Sequence, residues 1–253
     1  MTHTILVTGG TGTLGRAVVE RALAAGHEAR VLSRRRPAST ELPYAWLTGD
    51  LRSAEGVAAA VTGADVIIHC ATTNGRGDVQ AAQSLLDAAQ QAGTGHLIYI
   101  SIVGVDAVPL GYYRAKLDVE HRIANSGVPW TVLRATQFHN LVTRLFTVQR
   151  RSPVLMVPRG ISIQPIDVRD VAANLVQLAD TGPAGRVPDL GGPEVRTATD
   201  LAQTYLQASG RRRHILRVPV AGKAARSYRA GAHLTPRHAD GTITYQQFLE
   251  RTA

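Results

Sequence analysis

Tyr112 and Lys116 have the residue types and spacing for proton chemistry. Four residues apart on a helix, two side chains share one face. A tyrosine hydroxyl serves a carbonyl/alcohol interconversion by losing or donating a proton. Its unperturbed pKa is about 10, so a neighbouring cation is needed to stabilise the phenolate. A lysine one turn away supplies that cation and is expected to lower the tyrosine pKa. Of 28 basic residues only Lys116 and Lys223 are lysines. Arginine is this chain's habitual cation, and it is too basic and too wide to replace a compact ammonium in that role. Tyr113 is one residue out of register and faces elsewhere. The plain alternative is an exposed Tyr and Lys on an amphipathic helix.

The segment that would supply such a pair with a cofactor lies at the start of the chain. Residues 5 to 15 read Ile-Leu-Val-Thr-Gly-Gly-Thr-Gly-Thr-Leu-Gly. A buried-strand pattern runs into Gly9, Gly12 and Gly15, and a helix-forming stretch follows. Gly9 allows a tight turn, Gly12 lets backbone approach a pyrophosphate, and Gly15 lets the helix sit close on the sheet. The free N–H groups and positive end of that helix then face the phosphates. Gly26 is a candidate C-cap. This pattern predicts a bound dinucleotide, with Lys116 also placed to hold the nicotinamide ribose. The second strand ends Val31-Leu32-Ser33-Arg34-Arg35, without the acid that usually takes a ribose 2′-hydroxyl. Ser33 can donate to a 2′-phosphate, and Arg34 and Arg35 can offer charge-assisted forks. NADP is therefore preferred, and NAD is the alternative. Arg36, followed by Pro37, reads as a solvated turn residue. Asp50, beside Leu51, either accepts from the adenine amino group or caps the next helix.

With 253 residues and 44% hydrophobic content, the chain supports one sizeable core, or a main domain with a small appendage. No apolar run approaches the roughly 18 residues of a membrane span, and the N-terminus has no signal-peptide pattern. These features set a cytoplasmic, soluble protein as the expectation. The single cysteine, Cys70, closes an apolar run and reads as buried and inert. Net charge is +9, yet no aromatic residues interleave with the arginine clusters as base stacking would require. Specific nucleic-acid binding is not expected.

Apolar runs and amphipathic stretches alternate. Strands are predicted at 4–8, 28–32, 45–47, 66–69, 97–100 and 130–133. Helices are predicted at 13–25, 54–61, 78–92, 114–126 and 137–149. This alternation predicts an α/β fold with a doubly wound parallel sheet and the cofactor at the strands' carboxyl ends. After about Pro153 the rhythm loosens. Short strands are expected at 154–156 and 161–166, and another within 182–193. Helices are expected at 168–179, 198–208, 220–230 and 244–251. Asp167 and Asp170 suggest a capping box for the first of these. The domains are read as a dinucleotide-binding domain over 1–152 and a smaller substrate lobe over 153–253, parts of which return to the main sheet.

Thr8-Gly9-Gly10-Thr11-Gly12-Thr13-Leu14-Gly15, Asp50-Leu51, Tyr112-x-x-x-Lys116 and Asp167-Val168-Arg169-Asp170-Val171 together resemble the short-chain dehydrogenase/reductase superfamily. The likeness is to its atypical or extended branch and covers about residues 3 to 180. Leu133 to Phe138 is similar to the corresponding segment of NmrA-like members. The resemblance implies a Rossmann fold, NAD(P) held by the turn from Gly9 through Thr11, Gly12, Thr13 and Leu14 to Gly15, and Ala71-Thr72 lying along the cofactor. It also implies a hydride transfer in which tyrosine protonates the substrate oxygen. Family enzymes carry two hydroxyl residues past the fifth strand, the second orienting the carbonyl. Here the pair is Ser101-Ile102, so Ser101 is the candidate. Phe138, His139 and Asn140 could line a substrate pocket, whereas Phe146 and Met156 read as core. His139 has no partners at metal-ligand spacing, and no metal is expected. The C-terminal lobe is short for a sugar-nucleotide epimerase of the family, so a small, mostly apolar carbonyl, quinone or enone is the expected substrate. The alternative is a non-catalytic NADP-binding redox sensor, as occurs among NmrA-like members. Folds of this kind often pair into homodimers, though no feature here demands it.

Overall fold

The computed structural model describes residues 1–37, 39, 41–73, 75 and 77–252. Two compact units emerge, and neither is one run of chain. The first comprises residues 1–101, 111–133 and 172–187; the second comprises 102–110, 134–171 and 188–253. The chain therefore passes between the units several times.

The first unit is built on a seven-stranded sheet. Its strands are β1 (Thr4–Thr8), β2 (Glu28–Ser33), β3 (Ala45–Thr48), β4 (Val66–His69), β5 (His96–Ile102), β6 (Trp130–Ala135) and β9 (Gly185–Arg186), in the order β3-β2-β1-β4-β5-β6-β9. β1 pairs in parallel with both β2 and β4, with Val7 beside Val31 and Ile68. Helix α1 (Thr13–Ala24) crosses from β1 to β2 in one direction. Helices α2 (Val57–Val61), α3 (Asp78–Ala92) and α4 (Gly111–Ala124) cross in the other. Right-handed crossovers then put α1 on the face opposite the other three. Strand pleating divides the apolar residues the same way. Leu6, Leu32, Ile67, Leu97 and Tyr99 share one core with α2, α3 and α4. The doubly wound parallel architecture is the predicted one.

The second unit has a core where α5 (His139–Thr147), β7 (Val154–Pro158), α7 (Ala198–Ala208) and α9 (Tyr245–Thr252) meet. β7 pairs in parallel with β11 (His214–Val218). β8 (Ser162–Ile163) pairs antiparallel with β10 (Arg196–Thr197). α6 (Val168–Thr181) begins in this unit, and its remainder belongs to the first. α8 (Lys223–Arg229) and a 3₁₀ turn (Pro236–His238) precede α9. The capping box expected at Asp167–Asp170 is not formed. Asp167 accepts from Arg169 N, while Asp170 accepts from the backbone of Thr242 and Ile243 and from the Thr242 hydroxyl. A reciprocal box does open α7, between Thr197 and Asp200. Among the described residues, no helix is long and apolar enough to cross a membrane.

Candidate cofactor and active site

β1 ends at Thr8, and the chain turns at Gly9 with φ +71°. A Cβ there would lie 2.7 Å from the Ala71 backbone, so the turn after β1 is pressed against the loop after β4. Gly12 N donates to Gly9 O at 2.9 Å and closes the turn. A Cβ on Gly15 would lie 2.1 Å from Gly9 O and 2.7 Å from Gly10 Cα, so only glycine lets α1 start this close to its own turn. Gly10 was not singled out in sequence, yet a Cβ there would meet Val31 at 2.8 Å. Gly12 differs from its neighbours. Its Cβ would meet only Gly9 O, at 3.2 Å, and the position is exposed together with Thr11 and Thr13. α1 has no side-chain N-cap and no acid in its first turn. Helix N-terminal N–H groups left open in this way suit a pyrophosphate, and the residues present therefore fit a dinucleotide. Leu14 is buried, so only its backbone is available to a ligand.

At the end of β2, Ser33 Oγ accepts from Arg35 N at 3.2 Å, which leaves its hydroxyl proton free to donate. Trp46 Nε1 donates to Arg35 O at 2.9 Å and fixes the same turn. The Arg34 and Arg35 side chains are exposed. Asp50 does not cap a helix. α2 begins at Val57, behind an N-cap Gly56 that makes no side-chain bond. Asp50 Oδ1 instead accepts from Arg52 N at 2.8 Å. The helix predicted from Ala54 starts later because Ala54 is left-handed, with φ +63°. Leu51 is a core residue.

α4 carries both Tyr112 and Lys116. Lys116 is buried, with Nζ donating to Ile100 O at 3.1 Å and standing 4.7 Å from the Tyr99 ring centre. It lies 6.0 Å from the Tyr112 ring centre. Burial pulls the Lys116 pKa down to about 8, against the carboxylate of Asp78. Tyr112 departs from the sequence expectation, because its pKa is raised. Burial is the main cause, Asp78 and Tyr113 add to it, and the Thr72 contact opposes it. The Lys116 ammonium donates to a carbonyl and stands by the Tyr99 ring, and burial keeps the proton on the phenol. Thr72 Oγ1 lies 3.4 Å from the Tyr112 hydroxyl. The same Thr72 hydroxyl donates to Asp78 at 2.7 Å, as does Thr73 Oγ1. Contacts thus run from Gly9 through the Ala71–Thr72 loop to Tyr112.

Asp78 was not foreseen. Its signal was an acid at the first position of the helix after β4. His69 and Tyr99 were also missed. His69 Nδ1 pairs with Thr8 Oγ1 at 2.7 Å, and its ring stacks on Tyr99 at 5.4 Å. Burial, helped by Lys116, lowers the His69 pKa to about 3, so the ring is neutral. Burial pushes the neighbouring Cys70 thiol up to about 12, which makes it inert at neutral pH. β5 runs two residues further than predicted, so Ser101 and Ile102 are both in the strand. Ser101 is buried, and among the described residues its Oγ has no hydrogen-bond partner.

In the second unit, Phe138 is the N-cap residue of α5 and bridges to Ile166. His139, expected to line a pocket, is instead fully buried. Its Nε2 pairs with Ile243 O at 2.9 Å, and its ring packs on Tyr245 and Phe248. Asn140 is half-buried, and among the described residues its Oδ1 has no partner. Phe146 is core as expected, but Met156 is half exposed.

A family model described as NAD(P)H-binding matches residues 9–181. A photosystem II assembly factor of Cyanophora paradoxa is 30% identical over 234 residues, covering 86% of this chain and 72% of that protein. A chloroplastic divinyl chlorophyllide a 8-vinyl-reductase of Oryza sativa subsp. indica is 28% identical over 256 residues, covering 86% of this chain and 61% of that protein. An uncharacterized Mycobacterium tuberculosis protein is 32% identical over 195 residues, and the match spans 71% of this chain but only 21% of the mycobacterial protein. Among solved structures, an Escherichia coli NADPH-dependent quinone oxidoreductase complexed with NADPH superposes with a TM-score of 0.84. It covers 98% of this chain and 99% of the other at 18% identity, a likeness of fold.

Proposed function

The chain belongs to the NAD(P)H-binding family, and on that premise we propose that it is an NADPH-dependent reductase of a small, mostly apolar carbonyl, quinone or enone. One observation carries the reading. The Ala71–Thr72 loop touches the glycine turn at Gly9 on one side and the Tyr112 hydroxyl on the other. Bound NADPH would supply a hydride. The backbone from Gly9 to Gly15, through Thr11, Gly12, Thr13 and Leu14, holds the pyrophosphate. Ser33, Arg34 and Arg35 take the 2′-phosphate, and Asp50 and Leu51 flank the adenine. Lys116 holds the ribose through its ammonium. Tyr112, kept protonated by burial, gives its proton to the substrate oxygen. Ser101 is the candidate to orient that oxygen. The quinone and vinyl reductases among the similar proteins support this substrate class.

The test is NADPH oxidation by the purified chain across a panel of quinones, enones and ketones. Tyr112→Phe is expected to lower turnover by about 10²- to 10⁴-fold, the usual worth of a general acid, while leaving NADPH affinity unchanged. Full activity in Tyr112→Phe would refute the mechanism. The buried Ser101 hydroxyl and the lack of one on Ile102 favour a second reading, a non-catalytic NADP-binding regulator. That reading predicts tight NADPH binding with no turnover on any member of the panel.

A further inference from the structure

The second unit carries an apolar strip that its own fold leaves uncovered. Leu141, Leu145 and Val148 follow the i, i+4, i+7 spacing of one helix face on α5 and its C-cap. They are 47%, 51% and 68% exposed, while Val142 and Phe146 on the other face are core. Gln149 ties this helix end to β7. Its Nε2 donates to Met156 O at 3.1 Å, and its Oε1 accepts from Met156 N at 2.9 Å. The side chain of Met156 points away from the buried Leu155 and Val157, and its register partner on β11 is Leu216. Both are about half exposed. Five large exposed apolar side chains thus lie on elements that Gln149 ties together, and that element set already has a core beneath it.

The elements that carry the strip bear charge of one sign. No Asp or Glu occurs between Glu120 and Asp167, or between Asp200 and Asp240, and α5, β7 and β11 all lie within those stretches. Arg144 interrupts the helix stripe, Arg150 and Arg151 follow it, and Arg217 adjoins Leu216; all four are exposed.

We infer that this strip docks on an anionic lipid bilayer. Apolar side chains gain by entering the headgroup boundary, and arginines at the same level gain from anionic lipids. A second copy related by a two-fold axis would set arginine against arginine. Nucleic acid would match the charge but leave five aliphatic side chains with nothing to contact and no aromatic to stack. A bilayer satisfies both parts without requiring a complementary fold. The inference does not rest on the proposed reaction, because neither Tyr112 nor the glycine turn takes part.

The experiment is co-sedimentation of the full chain with phosphatidylcholine vesicles, with and without phosphatidylglycerol. The wild type is expected to bind only the anionic vesicles, and less as salt rises. Leu145→Gln with Leu216→Thr should weaken binding at least tenfold. Arg144→Gln with Arg150→Gln should weaken it about fivefold per charge removed. Arg21→Gln with Arg52→Gln, which removes the same charge from the first unit, should leave it unchanged. Thermal unfolding of each variant checks that it is folded, and the arginine pair keeps the test open if the apolar pair is not. The inference is overturned if the wild type ignores anionic vesicles or binds uncharged ones equally. It is also overturned if the first-unit pair loses as much binding, or if the strip variants turn a dimer into a monomer.

Discussion

Lys116 is a cation held where water would serve it better. Its folded pKa of about 8 lies below the ordinary value of 10.5. A base whose pKa is lowered by folding costs stability while both states are protonated, here below pH 8. The cost fades as pH rises from about 8 towards 10.5, where the folded state has already released its proton. That lowering corresponds to a cost on the order of 3 kcal/mol at neutral pH. Lys116→Met is therefore expected to be more stable than wild type at pH 7 in denaturant titrations, with the advantage shrinking by pH 10. The wild-type kcat/KM for NADPH should fall as pH rises through about 8, and the Met variant should lack that step. At the other end of the site, Arg34 and Arg35 are exposed. Charge-assisted bonds to a 2′-phosphate are worth about 1.5 to 3 kcal/mol. Arg34→Ser with Arg35→Ser should weaken NADPH about 10- to 100-fold by titration and leave NADH untouched. Equal losses for both cofactors would remove these residues from the specificity role.

The glycine turn separates two effects that sequence merges. Gly12 has φ −80°, which any residue adopts, and its Cβ would meet a single atom at 3.2 Å. Gly15 has no such room, with Gly9 O at 2.1 Å. Gly12→Ala is expected to keep its melting temperature close to wild type while NADPH affinity falls at least about tenfold, because the methyl group fills the cradle. Gly15→Ala is expected to lose about 1 to 3 kcal/mol of stability, since overpacking forces backbone to shift. Calorimetry and cofactor titration on the two variants read these separately. Other element-scale features were less legible. Asp167–Asp170 and Thr197–Asp200 both have capping-box spacing, but Asp170 is drawn to Thr242 and Ile243, more than seventy residues away. Competition of that kind leaves no local trace in the sequence.

Buried histidines contribute to the response of the molecule to acid, His69 and His96 most strongly. His69 is held near 3 and His96 near 4, both chiefly by burial. His96 Nε2 also pairs with Thr131 Oγ1 at 2.8 Å, between neighbouring strands of the sheet. The unfolded chain takes up their protons near pH 6.5 while the folded chain does not. Their contribution to stability is therefore complete above pH 6.5 and declines as pH falls towards 3 to 4. Urea midpoints should drop between pH 6.5 and 4.5, and His96→Gln should flatten that slope. An unchanged slope in the variant would assign the acid sensitivity elsewhere.

The sequence by itself determined the parallel α/β architecture, the Gly9–Gly15 turn and the helix that carries Tyr112 with Lys116. Those features follow from local spacing, since apolar periodicity and glycine chemistry act over a few residues. The tertiary structure alone decided where side chains spend their bonds. Lys116 turns to Ile100 O and Tyr99, and burial raises the Tyr112 pKa rather than lowering it. Asp78 joins the site from α3, and His139 sinks into the core against Tyr245. β7 finds β11 some sixty residues on, and stretches 102–110 and 172–187 change units. Burial and partner choice depend on which distant segments arrive together, and that is a property of the folded chain.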